Sequence, residues 1–240
     1  MRSTHAARPD TGGQSTPEVT AQPSEDPTLA RIGAFSDGVF AFAITLLIVA
    51  IHVPQPNDPD ARRGLLTLLI DQWRSCLAFV LSFMLIGINW ANHRVMFSKF
   101  ARANHGLVWL NLLYLMVGVV FMPIPTAVLG AWLGNPKNQV IAAVFYGTAA
   151  TVGGLIYNVL WWYGAYGAKL TSPSLSARER RAHTIAWGPA PLVVAGLTAV
   201  AFVSAPLAVA GYVAMVFVYV LPVYRLFAFG RRNRHDSSHP

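Results

Sequence analysis

Charged side chains are scarce in this sequence of 240 residues, where Asp, Glu, Lys and Arg together make up only 12%. An ordinary soluble domain carries about 25% of them. Four stretches contain none at all, and they lie between Arg74 and Arg94, Arg102 and Lys137, Lys137 and Lys169, and Arg181 and Arg225. Because roughly 20 apolar residues cross the hydrocarbon core of a bilayer, each stretch can hold at least one membrane-spanning helix. The sequence therefore predicts an integral membrane protein.

Cysteine and catalytic motifs are equally scarce. The single cysteine, Cys76, cannot form a disulfide within the chain, and we interpret it as a small buried apolar residue. No HExxH, CxxC, GxSxG or P-loop pattern occurs. Catalysis would have to use His93, Asp37 and scattered Ser and Thr residues, so we predict neither an enzyme nor a bound cofactor or metal.

The net charge of +8 raises the question of a nucleic-acid partner. However, the 18 Lys and Arg residues lie at the predicted helix ends and in loops, where membrane topology places them. No basic stripe on a soluble fold is predicted. Nucleic acid is therefore not an expected partner, whereas the lipid bilayer is.

The apolar stretches predict an all-α, polytopic membrane protein with six transmembrane helices. The predicted spans are about 30–53, 72–96, 104–133, 139–166, 182–203 and 206–229. They make up one domain, 29–229, between a disordered cytoplasmic tail, 1–28, and a basic cytoplasmic tail, 230–240. Pro123 and Pro125 are expected to kink the third span or end it early.

The distribution of basic residues predicts the orientation of these spans. Six spans place both termini on one side of the membrane. The tails and loops on that side hold 14 Lys and Arg residues, against 4 in the loops on the other side. Because basic residues are retained in the cytoplasm, both termini are expected to be cytoplasmic.

Asp37 is the one acidic residue that this map places inside an apolar span. Insertion scales assign such a residue a cost of roughly 2.5–3.5 kcal/mol, so it is expected to have a partner. Arg31 precedes it by six residues and lies about 120° away around the helix, whereas helical partners are three or four residues apart. Asp37 is therefore expected to bond to another helix.

Other polar residues are predicted to lie at a depth similar to that of Asp37. They are Asn89, Trp90, Asn92, His93 and Arg94 on the second span, Trp109 and Asn111 on the third, and Tyr157 and Asn158 on the fourth. One interpretation is that this layer only joins helices through hydrogen bonds. The other is that it also fixes the orientation of the first helix. The two interpretations are compatible.

The segment that opens the first helix resembles a known family signature. It contains Arg31, Phe35, Ser36 and Asp37 as Arg-x-x-x-Phe-Ser-Asp, which strongly resembles the motif of the transmembrane protein 175 family of potassium channels. Two further segments look like the end of the family's second helix and its third helix. They are 89–94 (NWANHR), and 109–113 (WLNLL) followed by 123–126 (PIPT).

This resemblance implies a potassium-preferring cation channel in which four identical chains surround a pore. It further implies that the first helix lines the pore with apolar rings, at positions matching Phe42, Thr45, Leu46 and Val49. These four residues share one helical face by their spacing. A hydrophobic constriction can gate by dewetting. Phe42 stands where family members usually carry Ile or Leu, so its ring of four side chains is expected to be bulkier.

The residues of the motif are expected to serve a different purpose. Asp37 lies about 140° from Phe42 around the helix, so it does not share the pore-facing stripe. We interpret Arg31, Phe35, Ser36 and Asp37, with Asn89, Trp90, His93 and Asn111 on neighbouring helices, as bracing the first helix. Two alternatives to a channel remain open: a proton-coupled transporter using Asp37 and His93, and a membrane scaffold without transport.

Overall fold

The computed structural model describes residues 26–220, and every regular element it contains there is helical. The α-helices are α1 (Pro27–Leu46), α2 (Leu65–Asp71), α3 (Trp73–Phe97), α4 (His105–Tyr114), α5 (Pro123–Trp132), α6 (Gln139–Trp162), α7 (Ala177–Trp187), α8 (Ala190–Val200) and α9 (Ala205–Val220). The predictions for 1–25 and 221–240, which include most of the first tail, the end of the sixth span and the basic tail, lie outside the described residues.

Within that range, five helical segments are long and apolar enough to cross a membrane. They are Pro27–Val49, Ser75–Phe97, His105–Trp132, Gln139–Gly167 and Ala177–Val200, and a shorter apolar helix covers Ala205–Val218. The prediction of an all-α, polytopic membrane protein is therefore confirmed. A turn at 201–203 separates α8 from α9, next to the expected boundary between the fifth and sixth spans.

α1 begins with a cap that also attaches it to a distant loop. Asp26 precedes the helix, and its Oδ1 accepts a hydrogen bond from the backbone N–H of Thr28 at 2.9 Å. Its Oδ2 accepts one from the backbone N–H of Ala103 at 2.9 Å. Pro27 follows at the first helical position, where its missing N–H costs nothing. The helix therefore starts two residues before the predicted domain boundary at residue 29.

The third span is interrupted where the sequence predicts. α4 passes into a π-helical segment, Leu115–Val120, and α5 starts afresh at Pro123. A proline inside a helix lacks an N–H and clashes with the preceding turn, whereas the first position of a new helix accepts it. The π-helical segment contains Gly118, and it crosses α6 at Gly153. The two helices are so close there that a Cβ on Gly153 would lie 3.0 Å from the Gly118 Cα. Small residues at such crossings let transmembrane helices approach.

α6 lies at the centre of the bundle and packs against α4, α5, α8 and α9. Two apolar clusters hold the helices together. The first joins α1, α3, α4 and α6 and includes Phe40, Ile86, Leu107 and Trp161. The second joins α5, α6 and α9 and includes Leu129, Ala143 and Tyr212. α1 is thus attached at one side of the bundle through the first cluster.

Candidate functional site: the first helix and its polar contacts

α1 presents one buried face and one exposed face. The buried residues recur at helical spacing and are Ile32, Ser36, Phe40 and Ala43, continued by Leu47 in the short 3-10 turn Leu47–Ala50. They face α3, α4 and the π-helical segment. The opposite face is uncovered within the protomer, although it is mostly apolar. A helix with two apolar faces and only one covered needs a second environment, which is lipid, another subunit or a pore.

Ser36, Asn111 and His93 form a hydrogen-bonded chain from α1 through α4 to α3. The Asn111 Nδ2 donates to the Ser36 Oγ at 3.0 Å, and the Asn111 Oδ1 lies 2.8 Å from the His93 Nε2. The Ser36 hydroxyl in turn donates to the Ile32 carbonyl at 2.8 Å. All three side chains are almost completely buried. Because a buried polar group without a partner is costly, these bonds favour one arrangement of the three helices.

Aromatic rings enclose the His93 end of this chain. His93 stacks on Phe97, with ring centroids 4.2 Å apart, and lies parallel to Tyr114 at 5.8 Å. Phe40 of α1 contacts its ring at 5.5 Å. Sequence reasoning missed Tyr114, although its position three residues after Asn111 places both on one face of α4. The enclosed ring fixes where the Nε2 atom meets Asn111.

Asp37 bonds to α3 rather than to its own helix, as its spacing from Arg31 predicts. The Trp90 indole Nε1 donates to the Asp37 Oδ1 at 2.7 Å. The guanidinium of Arg94 lies over the Trp90 ring, 5.2 Å from its centroid. A cation in this position is attracted to the indole face. Asp37 and Trp90 are partly open to the outside of the protomer.

Three of the predicted bracing residues do not join these contacts. Arg31 is exposed and has no hydrogen bond or ion pair within residues 26–220. Phe35 is 54% exposed and borders a shallow surface pocket with Val108 and Leu112 of α4. Asn89 borders a half-open cleft that is lined by α6 and not by α1. Arg31 and Phe35 share the exposed face of α1, because four residues separate them.

The polar layer predicted around Asp37 is also less continuous than expected. Trp109 is exposed, and its indole donates to the His105 Nε2 of its own helix at 2.6 Å. The Asn158 Nδ2 donates to the Gly154 carbonyl at 3.0 Å and the Trp187 carbonyl at 3.4 Å, both away from α1. Tyr157 donates to the Asn92 carbonyl at 3.0 Å and so joins α6 to α3.

The predicted apolar stripe lies on the uncovered face of α1. Phe42 is 60%, Leu46 45% and Val49 77% exposed, and Thr45 is exposed between them. The Thr45 hydroxyl donates to the Phe42 carbonyl at 2.8 Å, within the helix. Val49 lies in the 3-10 turn, where the α-helical periodicity used for the prediction no longer holds.

The sequence and the fold are both similar to known proteins. A family model described as endosomal/lysosomal potassium channel TMEM175 matches residues 31–123. A potassium channel of Streptomyces collinus is 41% identical over 174 residues, which cover 72% of this chain and 82% of the relative. A potassium channel of Chamaesiphon minutus is 39% identical over 182 residues, or 75% and 87% of the two chains.

A solved structure resembles this fold along most of its length. It is the crystal structure of a lysosomal potassium-selective channel TMEM175 homolog from Chamaesiphon minutus, with a TM-score of 0.71 and 35% sequence identity. The match covers 81% of this chain and 97% of that chain. The region matched by the family model contains α1 from Arg31 onward and every residue of the hydrogen-bonded contacts around Ser36 and Asp37.

Proposed function

Because this chain belongs to the TMEM175 family, we propose that it is the subunit of a potassium-preferring cation channel in a bacterial cell membrane. Two bacterial relatives at about 40% identity are named potassium channels. The observation that carries the proposal is the exposed apolar face of α1, since it is uncovered in the protomer and opposite the face that packs. The chain acts as an ion channel and is not an enzyme.

In the proposed channel, the exposed face of α1 lines the pore. When copies of the chain surround an axis, equivalent side chains form rings around the pore. Four residues each supply one such ring: Phe42, Thr45, Leu46 and Val49. The Phe42 ring is the bulkiest of these and forms the constriction. An apolar constriction of this kind conducts when it is wet and closes when it dries. Thr45 supplies hydroxyl groups on the path of the ion.

Four identical chains are proposed to surround the pore as a homotetramer. The support within this chain is that Arg31 and Phe35 are exposed on α1 and that Trp109 of α4 is 59% exposed. Large aromatic and Arg side chains are enriched where protein subunits meet. Arg31 and Phe35 therefore brace α1 against a neighbouring subunit rather than inside the protomer.

The buried contacts of α1 are proposed to hold it in the orientation that the pore requires. Ser36 is attached to α4 through Asn111 and to α3 through His93, whereas Asp37 is attached to α3 through Trp90. Two attachments at different angles around one helix oppose its rotation. Both chain termini lie on the cytoplasmic side, as the excess of basic residues there favours.

Potassium flux into liposomes tests this function. Purified protein is reconstituted, and flux is driven by a potassium gradient with membrane potential set by an ionophore. A channel gives passive, voltage-driven flux, a transporter gives saturable flux driven by a pH gradient, and a scaffold gives none. Asp37 accepts from Trp90, whereas His93 bonds to Asn111. The two residues that a proton-coupled transporter would use are therefore not bonded to each other.

Phe42→Ala is the variant that tests the constriction. Removing four rings widens it, so potassium leak is expected to rise severalfold and discrimination against sodium to fall. Phe217→Ala is the matched control, because Phe217 is 55% exposed on α9, away from the proposed pore. Unchanged currents in Phe42→Ala, recorded in planar bilayers, would remove Phe42 from the pore.

A further inference from the structure

Two connecting segments pair with each other near the start of α1, and basic residues gather where they meet. The loop between α3 and α4 contacts the segment between α6 and α7 through an antiparallel bridge from Phe100 to Thr171. The backbone N–H of Ser172 donates to the Lys99 carbonyl at 2.9 Å. These contacts hold two segments side by side that are far apart in the sequence.

Six basic side chains lie on these segments and on the first turns of α7, and we call them the basic patch. Four of them are exposed, and Lys99 and Arg180 are half-buried. Lys99 is close enough to Glu179 and His183 of α7 to interact with them electrostatically. Membrane topology explains the side on which basic residues lie, whereas these contacts bring them onto one surface. The six are Lys99, Arg102, Lys169, Arg178, Arg180 and Arg181.

The two acidic side chains beside the basic patch are bonded to other groups. Glu179 accepts from the backbone N–H and the hydroxyl of Ser176, at 3.0 and 2.8 Å. Asp26 accepts from the backbone N–H groups of Thr28 and Ala103. Among the described residues, no member of the patch forms an ion pair with a carboxylate. Six basic side chains against two acidic ones leave a net charge of +4, which attracts anions from outside the protomer.

Exposed apolar and aromatic side chains adjoin the basic patch. Trp162, at the end of α6, is 55% exposed, and Tyr166, four residues later, is 44% exposed. Ile185 of α7 is 62% exposed. Trp and Tyr are enriched where a membrane meets water, and α7 opens a segment long and apolar enough to cross a membrane. The patch therefore lies at the level of the lipid headgroups.

The arginines of α7 are arranged to meet both parts of a lipid molecule. The guanidinium of Arg180 lies over the Tyr166 ring, 5.0 Å from its centroid, and this contact holds it near the membrane surface. Arg178 and Arg181 are three residues apart and share the exposed face that continues to Ile185, four residues after Arg181. Charge is thus followed by apolar surface along one side of α7.

We propose that the basic patch binds the headgroup of an anionic phospholipid in the cytoplasmic leaflet. The guanidinium groups of Arg178 and Arg181 bind the phosphate, whose oxygens fit their paired N–H donors, and an acyl chain lies along Ile185. The proposal rests on the orientation proposed for the channel. It places α7 and α8 against lipid, which agrees with α8 packing chiefly on α6 and α9 while α1 packs chiefly on α3 and the π-helical segment.

Native mass spectrometry of the full-length protein in a neutral detergent tests this inference. Dioleoylphosphatidylglycerol and dioleoylphosphatidylcholine have the same acyl chains and differ in the charge of the headgroup. The anionic lipid is expected to bind at least about fivefold more tightly, the effect of one basic residue at an anionic surface. Glycerol phosphate carries the anion without the chains and is expected not to displace it. Equal affinity for the two lipids, or displacement by glycerol phosphate, overturns the proposal.

Replacing two arginines of α7 locates the site. Arg178→Gln with Arg181→Gln is expected to lower the affinity for phosphatidylglycerol about 25-fold, or about fivefold for each charge, and to leave phosphatidylcholine unchanged. Arg178→Lys with Arg181→Lys keeps the charges and is expected to retain most of the preference. Arg62→Gln with Arg63→Gln is the matched control, since both arginines are exposed in another loop. Equal losses in the two Gln pairs contradict a site on α7.

The salt dependence of the wild-type protein gives a second test that needs no variant. Ions screen exposed charges, so a higher salt concentration is expected to weaken binding of phosphatidylglycerol and leave phosphatidylcholine unchanged. A preference that does not depend on salt overturns the proposal. Lipid affinity in detergent is measured without ion conduction, so failure here and failure of the potassium flux assay are separate results.

Discussion

Adjacent residues on α1 bond to different helices. Ser36 accepts from Asn111 of α4, and Asp37 accepts from Trp90 of α3. Successive residues project about 100° apart around a helix, so these two bonds hold α1 from two directions. The buried bond sets the depth and angle of the packed face. The Asp37 bond adds an attachment at the edge of the exposed face.

Removing the Trp90 indole N–H tests the second attachment. Trp90→Phe is expected to lower the free energy of unfolding by about 1 kcal/mol, a usual size for one hydrogen bond between transmembrane helices. Chemical unfolding in mixed micelles measures it. Trp162→Phe is the control, because this Trp is 55% exposed on α6 and its indole has no hydrogen bond among the described residues.

A double-mutant cycle with Asp37→Ala completes this test. If the two side chains interact, the double variant is destabilised by less than the sum of the single variants. Strictly additive losses would show that the Asp37–Trp90 bond contributes nothing to stability. Potassium flux through the same variants then reports whether the orientation of α1 depends on this bond.

At the scale of single elements, the start of α1 depends on one carboxylate. The backbone N–H groups of Ala103 and Thr28 donate to the Asp26 carboxylate. These bonds hold the pKa of Asp26 below its ordinary value of 3.8, and the bond from Ala103 has the larger effect. A lowered pKa means that the ionised form stabilises the fold. This contribution is complete above pH 3.8 and is lost as the pH falls through the lower pKa of the folded protein.

Hydrogen exchange at the backbone amides of Thr28 and Ala103 checks this prediction. Their protection is expected to be constant from pH 7 to about pH 5, after correction for the intrinsic exchange rate, and to fall below pH 3.8. Asp26→Ala is expected to lose it at neutral pH. Asp60→Ala is the control, because Asp60 is exposed and its side chain caps nothing. Normal protection in Asp26→Ala would contradict the role of the carboxylate.

In the third span, the sequence predicts where α5 begins but not the π-helical turn that precedes it. Pro123 marks where α5 must begin, because a proline is accepted at the first position of a helix. The π-helical turn before it, Leu115–Val120, has no such signal in the residue types. It coincides with the crossing of Gly118 and Gly153, which is a contact between helices. Its position therefore depends on packing.

At the scale of the whole molecule, the proposed homotetramer predicts a mass that a single protomer does not have. Native mass spectrometry is expected to find a mass of four chains of 26.1 kDa. In a Cys76→Ser background, Val49→Cys is expected to form disulfide-linked dimers on oxidation, because its copies face a shared axis. Leu192→Cys, exposed on α8, is the control and is expected to stay monomeric on denaturing gels.

Cross-linking through Leu192→Cys but not Val49→Cys would place the contact between subunits on α8. A single-chain mass would contradict the tetramer itself. Neither result would contradict the packing within the protomer, because α1 is held to α3 and α4 by bonds within one chain.

The sequence by itself determined the class of fold and the existence of a partner for Asp37. Long stretches without charge require a membrane, and that is a property of composition which no tertiary contact alters. The interruption at Pro123 is equally local, because it follows from the missing N–H of one residue type. The spacing of Arg31 and Asp37 excludes a bond within the helix for the same kind of reason.

Only the tertiary structure decided which residues meet. Trp90 is 53 positions from Asp37, and Asn111 is 75 positions from Ser36, so both bonds depend on how the helices rotate and cross. The same packing left Arg31 and Phe35 on the exposed face of α1 and left the Tyr114 hydroxyl and Asn158 Oδ1 buried without a hydrogen-bond partner among the described residues. Helical periodicity gives the direction of a side chain on its own helix, whereas its partner is set by the neighbouring helix.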